Sequence, residues 1–133
     1  MADRMICITW GENVAGREQR GLEVFNEAVG LYGRMQQDGR IESFDVALLP
    51  PNGGAIDGFM LLRGTADQLN AVKEDEEFQR VMIDASLIVH GLCMCDGYAN
   101  EGIAKQMAMY QEAIAKVPQD GAAAESSGRF ARA

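Results

Sequence analysis

Few residues in this chain are equipped to do chemistry. His90 is the only histidine, and a neutral imidazole suits a general base or a haem ligand. Asp45 and Arg63 stand in two neighbouring strand-like segments. There a carboxylate and a guanidinium can pair across a cavity, orient a substrate or assist a proton transfer. Cys93 and Cys95 share one strand face, and Cys7 lies in the first strand, so a thiolate metal site has to be weighed. Each set also has a plainer reading. A lone histidine is commonly a hydrogen-bonded sheet residue, and an ion pair commonly serves structure alone. The cysteines form no C-x-x-C pair, and alternation puts His90 on the opposite face from them, so they read as buried structural thiols and no metal site is expected. No phosphate-binding glycine signature is present, and no Ser-His-Asp or Cys-His set assembles from local spacing.

These residues must be positioned by elements that hydrophobic periodicity reveals. Residues 4–10 (RMICITW) are β-branched and apolar and stop at Gly11, which reads as a central strand. Over 15–37 the period changes. Leu22, Phe25, Val29, Tyr32 and Met35 recur at spacings of three and four, predicting a helix closed by Gly39. Residues 41–49 (IESFDVALL) read as a second strand, with Phe44, Val46 and Leu48 on one face and Ser43, Asp45 and Ala47 on the other. A Pro-Pro-Asn-Gly-Gly loop follows, then a third strand over 57–63. Thr65 with Gln68 forms a capping box that opens a helix carrying Leu69 and Val72. The acidic run Glu74–Glu77 starts a second short helix, where negative charge suits the helix dipole. The fourth strand is expected over 87–95 (LIVHGLCMC), which would place His90 within it. A last helix runs from about Asn100 to Val117, with Ile103, Met107, Tyr110, Ile114 and Val117 as a narrow apolar seam.

The resulting order, β-α-β-β-α-β plus a helix, is the split βαβ arrangement of an α+β, ferredoxin-like domain. It predicts one domain over 1–118 and a disordered tail over 119–133, where the composition is small and polar. Both helices would cover one sheet face. The other face would carry Cys7, Thr9, Ser43, Asp45, Ala47, Leu61 and Arg63, too apolar for water and too mixed for a core, so a homodimer is expected. Trp10, Tyr32, Phe59 and Tyr98 are candidates for an aromatic pocket or for ordinary core.

Composition narrows the partners. Of 133 residues, 47% are hydrophobic and 24% charged, the balance of an ordinary globular protein. Twenty acidic residues against twelve basic ones give a net charge of −8, which argues against nucleic acid and against an anionic membrane surface. The apolar stretch near the N-terminus is too short for a signal-peptide core, and no apolar run reaches the roughly eighteen residues of a membrane helix. An odd number of cysteines without scaffold spacing suits a reducing compartment, so a cytoplasmic location is expected.

The element order, with the segment Glu74-Asp75-Glu76-Glu77-Phe78-Gln79-Arg80 before the last strand, resembles the dimeric α/β-barrel superfamily. In that group two ferredoxin-like subunits join their sheets into a barrel. The resemblance covers about residues 4–98 and identifies no subfamily. It implies an interior cavity at the dimer interface, and it brings cofactor-independent monooxygenases, isomerases and haem-degrading enzymes into view. A haem-degrading site would also want an asparagine on the first helix, for which Asn26 is a poor match. The leading expectation is a homodimer that binds a small apolar or aromatic molecule at the sheet face, without a cofactor, through Thr9, Asp45, Leu61, Arg63 and His90. The catalytic alternative is a cofactor-independent oxygenase or isomerase with His90 or Asp45 as base and Arg63 as anion stabiliser. A non-catalytic structural or regulatory subunit is the third.

Overall fold

The computed structural model describes residues 2–119. Eight elements follow one another: β1 (Arg4–Trp10), α1 (Glu18–Gln37), β2 (Ser43–Leu48), β3 (Gly58–Gly64), α2 (Ala66–Glu74), α3 (Glu76–Ser86), β4 (Cys93–Tyr98) and α4 (Glu101–Ala115). The four strands form one antiparallel sheet in the order β2-β3-β1-β4, with β1 and β3 central. The chain divides into two compact units, one ending at Asn100 and one starting at Glu101.

In the first unit the helices bury one face of the sheet. Ile6 and Ile8 of β1 and Met60 and Leu62 of β3 meet Val24, Ala28, Leu31, Tyr32 and Met35 of α1, together with Leu69, Val72, Phe78 and Val81 of α2 and α3. Burying this many large aliphatic side chains, at about 1.5–3 kcal/mol each, supplies the main drive for folding. Tyr32 sits at the centre, with Phe44 at 6.0 Å and Phe78 at 6.2 Å between ring centroids. The buried stripe of α1 is rotated from the expected one. Phe25 and Val29 only border the core, and Leu22 lies outside it at 56% exposure.

Local chemistry sets the element ends. Gly39, at φ 76°, takes the left-handed conformation that ends α1. Thr65 and Gln68 form the expected reciprocal cap on α2. Asp75 both ends α2 and caps α3, accepting from the Phe78 N–H at 2.9 Å.

The last strand departs from expectation. β4 covers Cys93–Tyr98, while residues 87–92 form a turn and loop, with Val89 bridged to Asn13. Gly91, at φ 65°, breaks any strand there. The apolar run at 88–92 therefore packs on the core as a loop, and His90 is not a strand residue.

The second unit is described through α4. Ile103, Met107, Tyr110 and Ile114 are exposed along it and Val117 just beyond its end, and Glu101 stands four residues before Lys105 in the favourable order. No described helix is long and apolar enough to cross a membrane. The expected disordered tail lies, beyond its first residue, outside the described residues.

Candidate functional site

Two places in the first unit gather chemistry, on opposite faces of the sheet. The first is a cavity of about 410 Å³ between α1, α3 and the helix-covered face. Its sheet wall is Ile8, Trp10 and Met60. Its helix wall is Phe25, Ala28 and Tyr32 on one side and Val81, Met82 and Ala85 on the other. Ile88, Val89 and Leu92 close it from the loop before β4. The apolar run before β4 thus lines this space from a loop rather than from a strand.

Helical spacing divides the lining supplied by α1 into two rows. Gly21, Phe25, Ala28 and Tyr32 face inward, while Glu18, Leu22 and Asn26, each four residues apart, form the rim. Asn13 reaches the same rim. A Cβ on Gly21 would stand 2.5 Å from its Oδ1, so the helix leaves a notch there for the carboxamide. The rim is polar at its ends and the interior is almost wholly apolar. That is the usual composition of a small-molecule pocket, and the volume falls in the usual range of roughly 300–1,000 Å³.

The walls are fixed. The Trp10 indole lies over Gly58, where an added Cβ would come within 2.5 Å of the ring and 2.8 Å of the Ala47 carbonyl oxygen. Two contacts fasten α1 to the end of α3: Arg20 to Asp84 at 3.1 Å, and the Arg17 guanidinium donating to the Leu87 carbonyl. The Tyr32 phenol is pushed up by burial and stays neutral through the physiological range. Its hydroxyl makes no hydrogen bond among the described residues.

The second place is the open sheet face, which no helix of this unit covers. Registers set three rows across it. One is Ser43, Arg63, Met5 and Gly97, the next Asp45, Leu61, Cys7 and Cys95, and the third Ala47, Phe59, Thr9 and Cys93. Thr9, Asp45, Leu61 and Arg63 are therefore brought together. Arg63 donates to Asp45 diagonally across β2 and β3. His90 is not with them. It is exposed in the loop before β4, where its backbone N–H donates to the Glu12 carbonyl at 2.9 Å and its carbonyl accepts from the Gly11 N–H at 2.7 Å.

Cys7 and Cys95 stand directly opposite each other, with Cys93 beside them on the edge strand. Cys93 and Cys95 are exposed and Cys7 half-buried, so they are not the buried thiols expected, because β4 is an edge strand and this face carries no helix of its unit. Burial, then the neighbouring Cys95, raises the Cys7 thiol, which keeps it from acting as a ready nucleophile. No group of three or more His, Cys, Asp or Glu side chains among the described residues is arranged to hold a metal ion.

Of the four aromatic candidates, Trp10 and Tyr32 line the cavity. Phe59 lies on the open face, and Tyr98 is covered by the Arg4 guanidinium, 4.9 Å from its centroid. Asn13 and Glu18 were not singled out by sequence. Glu18 and Asn26 share an i, i+8 spacing with Leu22 between them, but only the position of the cavity makes that spacing meaningful.

No protein-family model matches the sequence, and no curated protein matches it. Solved structures do. One is a dimeric protein of unknown function and ferredoxin-like fold from Bacteroides fragilis NCTC 9343, similar at a TM-score of 0.55 and 11% identity over 72% of this chain and 96% of that one. Another is a dimeric ferredoxin-like protein of unknown function from Jannaschia sp. CCS1, at a TM-score of 0.57 and 14% identity over 72% of this chain and 99% of that one. At such identities the likeness shows the fold alone: this chain has the ferredoxin-like α+β fold expected from its element order.

Proposed function

We propose that this protein is a homodimer that binds a small, largely apolar ring compound in the cavity between α1, α3 and the sheet. The observation that carries the reading is the cavity itself, about 410 Å³ with an apolar interior and polar groups confined to its rim. The cleft is partly open at its rim, and an apolar molecule that covered its walls would remove apolar surface from water.

The open face serves the dimer in this reading. Phe59, Leu61, Met5 and Cys7 give it an apolar centre, and the Asp45–Arg63 pair with Thr9 gives it polar character to fix the register of the second sheet. Both structural neighbours are described as dimeric, which supports the same arrangement here. The exposed stripe on α4 is a further apolar surface for a dimer to cover.

Calorimetric titration of the full chain with small aromatic alcohols tests the binding reading. Saturable heat at one site per chain, lost when Ala85→Phe puts a ring into the cavity, is the expected result. Heat that persists unchanged in a folded Ala85→Phe variant refutes it.

A further inference from the structure

The chemistry of the rim narrows what the cavity takes, and this step rests on the binding reading above. Among the described residues, Glu18 is the one acidic residue that lines the cavity, and no lysine or arginine lines it. The two arginines beside Glu18 in sequence are occupied elsewhere: Arg17 donates to the Leu87 carbonyl, and Arg20 pairs with Glu23, Glu27 and Asp84. The N-terminal end of α1, which would otherwise draw an anion, already has Glu18 in its first turn, and the Glu18 carboxylate accepts from the Gly16 N–H at 3.0 Å. The remaining rim groups are the carboxamides of Asn13 and Asn26. A net charge of −8 adds an unfavourable field for any approaching anion.

Spacing gives the ligand a shape. Glu18 and Asn26 are eight residues apart on one helix face, about 12 Å along the axis, with Leu22 between them. A molecule spanning the rim would meet an acceptor at one end, an apolar side chain in the middle and a carboxamide at the other.

From these observations we infer that the cavity selects elongated ring compounds bearing an amine or hydroxyl donor and rejects carboxylates and phosphates of the same size. The donor lies toward Glu18 and the ring system packs between Phe25 and Met82. A carboxylate in its place would face Glu18 with no cation to offset the repulsion.

Three isosteric probes test this by calorimetry at pH 7 on the full chain: 2-naphthylmethylamine, 2-naphthylmethanol and 2-naphthoate. The amine and the alcohol are expected to bind, with naphthoate at least tenfold weaker. Glu18→Gln is expected to weaken the amine about two- to five-fold, the range of an exposed ion pair, and to leave the alcohol unchanged. Naphthoate binding as tightly as the other two overturns the ligand class and leaves the cavity reading standing. Failure of all three to bind a folded dimer overturns the cavity reading, and this inference with it.

Discussion

Trp10 and Phe25 meet edge to face, with ring centroids 6.2 Å apart and planes at 66°, where the end of β1 packs against α1. This contact makes one wall of the cavity. Trp10 is the only tryptophan, so the wall carries its own reporter. A ring-sized acceptor such as 4-nitrophenol should quench the emission saturably. The same titration on Ala85→Phe should give only weak collisional quenching. Equal saturable quenching in both proteins would place the binding outside the cavity.

Tyr32 is buried to 1% exposure, and its hydroxyl has no described partner. Tyr32→Phe should therefore change stability by less than about 1 kcal/mol, because no hydrogen bond to a described residue is lost and the ring packing is kept. Burial raises the phenol, so the folded state holds a proton that the unfolded state gives up near pH 10. Stability from this group is complete below that pH and declines as pH rises above it. Denaturant melts at pH 9 and pH 11 check the sign: wild type should lose more stability over that interval than Tyr32→Phe. A larger loss in the variant would contradict it.

Asp75 joins two helices and a loop. Burial opposes its ionisation, but the Phe78 N–H and the Arg40 guanidinium at 2.7 Å outweigh that effect and hold the carboxyl below its usual range. Asp75→Ala should cost about 0.5–2 kcal/mol, the usual cost of an N-cap. Asp75→Asn, which keeps an acceptor for Phe78, should cost less. The stabilisation is present above the unfolded carboxyl pKa of about 4 and is lost as pH falls through the lower folded value. Urea midpoints of the two variants at pH 7 and pH 3 test both points, and a difference between wild type and Asp75→Ala that grows toward low pH would refute the sign.

Leu61 lies on the open face between Asp45 and Cys7. Leu61→Lys places a charge at the centre of the proposed sheet-to-sheet contact. Light scattering should report about twice the 14.5 kDa chain mass for wild type and the single chain mass for the variant. A wild-type monomer at micromolar concentration would sink the dimer. A dimeric Leu61→Lys would move the interface to another surface, with α4 the next to test.

Much of the fold was legible because period and punctuation agreed. The alternation in β2 and the chain order placed Thr9, Asp45, Leu61 and Arg63 on one face, and the registers put them there. The capping box at Thr65 needed no tertiary information. β4 was misplaced for a physical reason. Ile88, Val89 and Leu92 pack on the core and border the cavity from a loop, and apolarity alone does not separate such a loop from a buried strand. The true strand, CMCDGY, is an edge strand with little burial, and its Asp96, bound to Lys73 at 3.0 Å, looked like a strand end. His90 was drawn into the candidate site by that error in placement. Asn13 and Glu18 could not be found from the sequence, since empty space is a property of packing among strands, helices and loops far apart in the chain.

The most direct test of the central claim is a map of backbone and indole NMR shifts during titration with 2-naphthylmethanol. The account predicts that perturbations concentrate on Trp10, Phe25, Ala28, Met60 and Ala85 around the cavity. Perturbations concentrated instead on Thr9, Leu61 and Arg63 of the open face would contradict it and place the ligand between the two sheets.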